Sequence, residues 1–340
     1  MKKAWTKRPC LLFAGFFLLS VALLWSRQAP PDSPGKNQDG YRIGVEVNMV
    51  SVPVTVRGRE GNFIKGIPQS AFRIYEDGEP QDIVFFTQEA LPTRIAVVLD
   101  TSGSVRSEWG TIRYATKRFL ENLKPEDQFA LIGFNTEIRL KMDWGRKTDR
   151  VDSVLTSIYC KDNTKLWDAV WVVCNEVFRG IEEKKAMIIM SDGLDNESSV
   201  TYEEALQAAV RSEAAAYIVS KTEAVRQMLL YEQSQQGYYD RIPQELFVRA
   251  DLALRKLAYE TGGRVLYPNN FGQLDNIYAE VADELRNQYT IGYISSNAAK
   301  DGSYRRIDVR VLASGVASVS ARPGYYAPDE GRAFPGLPRR

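Results

Sequence analysis

Histidine is absent from all 340 residues. That removes the imidazole base of Ser-His-Asp and Cys-His nucleophile pairs, and with it every His-ligated zinc or iron site. Cysteine is scarce: of the three, Cys10 falls in an apolar N-terminal run, leaving only Cys160 and Cys174 in the body. A disulfide between those two is allowed in an oxidising compartment. Cys174, however, sits in the apolar helical run AVWVVCNEVF, where a buried free thiol is the simpler expectation. Excess charge of either sign is also missing, since 44 Lys and Arg against 43 Asp and Glu leave +1. No basic stripe or patch argues for nucleic acid. A Gly-rich phosphate cradle, a basic phosphate clamp, internal repeats and heptad runs are absent as well.

The one long hydrophobic run lies at the start. Lys2, Lys3, Lys7 and Arg8 precede an uncharged stretch from Cys10 to Trp25, a charged n-region followed by an apolar h-region, so export is expected. A helix over residues 10–25 reaches about 24 Å, short of a hydrocarbon core of about 30 Å, which favours a signal peptide. Ser26-Arg27-Gln28-Ala29 gives no clean small-x-small cleavage site, so a membrane anchor through residues 10–25 stays open. Residues 1–27 are thus read as signal peptide or N-terminal anchor, and 28–43 as a Pro-, Asp- and Gly-rich linker. The body is expected in the periplasm or cell envelope, with the basic flank kept inside.

The body alternates between two patterns. VEVNMVSVPVTVRG and FRIYEDGEPQDIVFFT alternate apolar and polar residues around turns, as antiparallel strands do. From residue 92 short buried strands (RIAVVLD, FALIGF, KAMIIMS, AAYIVS) alternate with amphipathic helices. That rhythm is the signature of a doubly wound, mainly parallel sheet. QYTIGYIS, YRRIDVRVL and ASVSAR then return to the antiparallel pattern and are the natural partners of the first block. The expected organisation is a Rossmann-like α/β domain over 92–287, inserted in a small antiparallel β-sandwich built from 44–91 and 288–327. A polar, Gln-rich insertion at about 222–244 and a tail at 328–340 complete the chain.

Chemistry concentrates around RIAVVLDTSGSV. Ile95 to Leu99 is an apolar run of the kind a fully buried parallel strand carries. It ends at Asp100, with Ser102 and Ser104 at alternate positions after it. A carboxylate and two hydroxyls at the C-terminal end of a core strand lie where open α/β sheets bind ligands. Oxygen-only donors suit a hard cation such as magnesium; the other reading is a strand-to-helix turn capped by Ser or Asp. Two more loops supply donors: Thr164 before the helix KLWDAVWVVCNEVF, and Asp192 ending its strand as Asp100 does. Two carboxylates and three hydroxyls, with water, complete an octahedral set.

The order DTSGS, then a Thr before a helix, then an SDG strand end resembles the von Willebrand factor A domain. EDGEPQDIVFF before it, and QYTIGY and ARPGYY after it, are similar to an exported bacterial subgroup of that family, over roughly residues 45–327. The resemblance implies a metal-ion-dependent adhesion site at Asp100, Ser102, Ser104, Thr164 and Asp192, loaded with Mg2+ (or Mn2+ or Ca2+). It further implies a non-catalytic adhesion or assembly module, exposed outside the cytoplasmic membrane, whose metal captures an Asp or Glu of a partner protein. The family's Gly-Gly-Thr is replaced by Asp162-Asn163-Thr164, where Asn163 is able to take left-handed angles. Asp195 is a candidate acceptor behind the ligands. Two alternatives remain: a Mg-dependent phosphoryl hydrolase in which Asp100 or Asp192 activates water at the metal, and a scaffold without metal.

Overall fold

The computed structural model describes residues 49–146, 148–161, 163–221 and 244–329. The residues read as signal peptide or anchor and as linker, with Asp162, nearly all of the 222–244 insertion and the tail beyond 329, lie outside the described residues. The described residues all belong to one compact unit. Among the described residues no helix is long and apolar enough to cross a membrane.

The first strands are β1 (Met49–Arg57), β2 (Phe72–Glu76), β3 (Glu79–Gln81) and β4 (Ile83–Thr87). β2 and β3 form a hairpin across Asp77-Gly78, both at positive φ (49° and 93°). That is the two-residue turn an Asp-Gly pair favours. β5 (Thr93–Asp100), α1 (Trp109–Glu121), β6 (Gln128–Phe134), β7 (Ile138–Gly145), α2 (Val151–Thr156) and α3 (Leu166–Val172) follow. β8 (Lys184–Ser191), α4 (Tyr202–Ser212), β9 (Ala215–Ser220), α5 (Gln244–Glu260), β10 (Arg264–Leu266) and α6 (Leu274–Asn287) complete the α/β part. The chain closes with β11 (Tyr289–Ile294), β12 (Tyr304–Val311), β13 (Ser318–Ser320) and β14 (Gly324–Tyr326).

The central sheet runs β10-β9-β8-β5-β6-β7, parallel throughout except for the antiparallel edge strand β7. β5 lies in its middle, which is why its apolar run is unbroken. Ile95, Val97 and Leu99 pack on one face with Ile112 and Phe119 of α1 and Tyr278 and Val281 of α6. Ala96 and Val98 pack on the other with α3, α4 and α5 through Leu166, Val170, Ala209 and Leu254. A strand covered on both sides has no polar face to show.

Two further four-stranded sheets, β13-β1-β11-β4 and β14-β12-β2-β3, each combine strands from both ends of the chain. β1 pairs antiparallel with β11, and β2 with β12. Val52, Val54, Phe72, Ile74, Tyr289 and Tyr293 fill the core between them. Within that core the Glu76 carboxylate, 3% exposed, accepts the hydroxyls of Tyr293 (2.8 Å), Tyr325 (2.9 Å) and Ser295 (2.6 Å) and pairs with Arg305 at 3.3 Å. A buried charge is tolerated when its lone pairs are filled in this way. Glu284 of α6 ties the parts together, accepting from Arg57 of β1 at 2.8 Å, Arg264 at 2.6 Å and the Thr55 hydroxyl at 3.2 Å.

Two local features depart from the sequence pattern. The helix after Lys165 is not continuous: α3 passes into a π-turn over Val173–Val177, closed by the Phe178 N–H on the Val173 carbonyl at 2.9 Å. The widened turn keeps Phe178 on the face that buries Val173 and Cys174. Asn163 does not use left-handed angles, since Asp77 and Glu213 are the non-glycine residues at positive φ among those described. Cys160 and Cys174 are both free thiols.

Candidate cation site

Parallel strands deliver their C-terminal ends to one edge of a sheet. Here the order reverses at β5, with β6 on one side and β8 on the other, and such a switch point is where α/β sheets open a crevice. β5 ends there at Asp100, β8 at Ser191 and β9 at Ser220. The next residues on β8 and β9 are Asp192 and Lys221. Three charged residues thus emerge side by side from strands far apart in sequence.

Local bonds fix each of them. Asp100 Oδ1 accepts the Ser102 N–H at 2.8 Å, turning the chain so that Ser102 and Ser104 face the same way, their hydroxyls 2.9 Å apart. Asp192 Oδ1 accepts the Leu194 N–H at 3.1 Å. Gly193 follows at φ +79°, where an added Cβ would lie 2.9 Å from Leu254 and 3.0 Å from the Ala250 carbonyl, so the SDG glycine is required by crowding as well as by angle. Lys221 is held by its own N–H on the Ser191 carbonyl at 3.1 Å.

The Lys221 side chain runs into the middle of the cluster. Its Nζ lies 2.9 Å from Asp100 Oδ2, 3.0 Å from Ser104 Oγ, 3.4 Å from Ser102 Oγ and 3.6 Å from Asp192 Oδ2. Lys221 is 1% exposed, Asp100 0% and Asp192 4%. Asp100 Oδ2 receives no aligned hydrogen bond, so the ammonium is what compensates it. Burial works to lower the Lys221 pKa, but Asp100 and Asp192 outweigh it and hold the ammonium above the ordinary lysine value. Burial pushes the Asp192 carboxyl up against the pull of Lys221, as expected where two carboxylates share one positive charge.

Four of the five residues singled out from the sequence, Asp100, Ser102, Ser104 and Asp192, therefore converge on one point. Thr164 is buried, and among the described residues no contact ties its side chain to Lys221 or to the other four. Its N–H donates to Asn196 Oδ1 at 2.8 Å, and its carbonyl accepts from the N–H groups of Asn196 and Glu197 at 3.2 Å. Asp195 accepts the Leu166 N–H at 2.8 Å and the Ser198 hydroxyl at 2.6 Å, and burial raises its pKa. It caps the helix that follows Thr164 and so positions that loop. Asp168, to which the sequence drew no notice, lies in that helix and ties it to the loop before α4, accepting the Ser199 and Val200 N–H groups at 2.8 Å each. The Asn163 amide donates to the Glu197 carboxylate, which is how an Asn serves this turn without a left-handed backbone.

Compared with protein families, residues 95–243 match the von Willebrand factor type A domain. The chain carries a von Willebrand factor type A domain. Among solved structures, proximal thread matrix protein 1 from the mussel byssus, with a zinc-occupied MIDAS motif, is 17% identical with a TM-score of 0.44, the match covering 61% of this chain and 48% of that one. The chain thus spans about half the length of the mussel protein. BatB from Bacteroides thetaiotaomicron is 15% identical (TM-score 0.42; 56% of this chain, 98% of that one). An aerotolerance-related membrane protein from Bacteroides fragilis is 13% identical (TM-score 0.41; 56% and 99%). No curated protein matches the sequence.

The A-domain fold implies a divalent ion, and the carboxylates of Asp100 and Asp192 with the hydroxyls of Ser102 and Ser104 are oxygen donors of the kind a hard cation takes. The Ser102 and Ser104 hydroxyls, 2.9 Å apart, hydrogen bond to each other. The centre, however, is taken. With the Lys221 ammonium at that point, a divalent ion does not fit, because two positive charges would compete for the same four oxygens.

Proposed function

We propose that the A domain is a non-catalytic protein-docking module working outside the cytoplasmic membrane, and that its contact face is the loop cluster over the C-terminal ends of β5, β8 and β9. The convergence of Asp100, Ser102, Ser104 and Asp192 on one buried positive charge carries this reading. An α/β core of this size needs no such cluster for its stability, and buried ionic groups contribute little net stability against well-packed apolar ones. Elaborate loops on a rigid scaffold are where binding is found.

The partner is proposed to be an acidic segment of a protein. Arg106 lies two residues past Ser104 and Lys161 pairs alongside Ser102; both are exposed, Lys161 also reaching Glu137 at 3.3 Å. Complementary charge of that kind steers and orients an incoming acidic surface. A divalent ion, Mg2+ in the first instance, is compatible with this face only in a state in which Lys221 has left the ligands. The placement outside the membrane rests on the n-region and h-region of the sequence. A hydrolase would need metal-activated water at the point Lys221 fills, and nothing else in the site favours that reading.

Pull-down of cell-envelope proteins tests the proposal. Wild-type protein should retain a partner that is released by salt and lost with Arg106→Glu plus Lys161→Glu. Recovery of the same proteins by the charge-reversed variant would remove this face as the docking surface.

A further inference from the structure

We infer that the ammonium of Lys221 is the resident cation of this A domain, standing in the place of a divalent metal ion. Four oxygens from two loops lie 2.9 to 3.6 Å from Nζ, so the ammonium is the common neighbour of Asp100, Ser102, Ser104 and Asp192. Its approach is fixed from behind: Ser220 pairs with Ser191 in the sheet, and the next N–H, that of Lys221, continues the pairing onto the Ser191 carbonyl at 3.1 Å. The backbone therefore starts the side chain one strand away from Asp192 and two from Asp100, with the cluster between.

Lysine is almost never fully buried unless paired, and Lys221 at 1% exposure meets that condition through Asp100 and Asp192. The ammonium and the two carboxylates sum to one negative charge, so the cluster is nearly balanced with no ion added. A metal ion would have to expel the ammonium, carrying a charged group off its partners into the loops above. The Ser102 and Ser104 hydroxyls, hydrogen bonded to each other at 2.9 Å, both also lie within 3.4 Å of the ammonium. What differs from a metal site is who supplies the charge. An ammonium tethered to β9 is present at every metal concentration, so the loop face is organised without metal. The consequence that docking is insensitive to chelator rests on the docking reading above; metal binding itself is read without any partner and stands apart from it.

The test uses thermal unfolding and Mn2+ binding by electron paramagnetic resonance on the full chain. Wild-type protein is expected to melt at the same temperature in EDTA and in millimolar Mg2+ or Mn2+, and to leave Mn2+ free. Lys221→Met, which keeps the length of the side chain and removes its charge, should bind Mn2+ and melt about 5 °C higher or more with the metal than with EDTA, the size of ligand stabilisation near a hundredfold over Kd. Two results overturn the inference: saturable Mn2+ binding to wild type that is lost in Asp100→Asn, or a folded Lys221→Met that binds no Mn2+. If Lys221→Met folds only when Mn2+ is supplied, that is the expected gain in stronger form. If it folds in neither condition, the wild-type measurement decides alone.

Discussion

The charge at the centre of the cluster should be measurable as a coupling between Lys221 and Asp100. Both are buried and their charged atoms are 2.9 Å apart, against 3.6 Å for Lys221 and Asp192. At an effective dielectric of about 20 those distances correspond to gross attractions of about 6 and about 5 kcal/mol, most of it offset by the cost of removing the charges from water. Lys221→Met leaves two carboxylates buried without a cation and should cost about 3–5 kcal/mol. Asp100→Asn keeps an oxygen for the Ser102 N–H, so the turn survives and the loss is mainly electrostatic. In the double variant the second substitution removes a carboxylate that has already lost its partner. The double variant should therefore be more stable than the sum of the two singles by on the order of 2–3 kcal/mol. Urea unfolding of the four proteins in EDTA measures this directly. Additivity within about 0.5 kcal/mol would mean that the ammonium and the Asp100 carboxylate do not interact, and the electrostatic reasoning would fail.

Other consequences follow from single residues. Thr201 and Glu204 form a reciprocal capping box at the start of α4, so Thr201→Ala should lower stability by about 1 kcal/mol in the same assay. Burial pushes the Lys184 amine down to about 8 from 10.5. The unfolded chain then binds the extra proton between those values, and this group's contribution to stability rises with pH across that window. Lys184→Met should accordingly be more stable than wild type below pH 8, with the advantage shrinking as pH rises above it. Burial raises the Cys174 thiol to about 12; a thiol reagent at pH 8 should leave Cys174 unmodified in the native protein and reach it on unfolding, as peptide mapping by mass spectrometry would show.

The core was readable in the sequence because burial on both faces leaves a plain mark. Ile95 to Leu99 and Ala186 to Met190 are unbroken apolar runs, and both are fully buried strands of the parallel sheet. The hydroxyls and carboxylates of the loops were readable for a related reason: Asp100 and Asp192 each stop such a run. Lys221 stops one too, after AAYIVS, yet a lysine beyond a strand reads as solvated. What makes it part of the site is the lateral order β9-β8-β5, and periodicity along a chain carries no information on which strands are neighbours. The available signal was a charged residue just past a buried strand, the same placement as Asp192. Asp168 escaped for another reason: it lies within an otherwise apolar helical run, and its role depends on the N–H groups of Ser199 and Val200 in a loop over thirty residues away.

The most direct test of the account is a crystal structure of the wild-type protein grown in millimolar Mg2+. It should show continuous side-chain density for Lys221 ending 2.9 Å from Asp100 Oδ2, with no ion between Ser102, Ser104 and Asp192. An octahedral ion bonded at about 2.0–2.1 Å to the Ser102 and Ser104 hydroxyls, with Lys221 turned away, would contradict it.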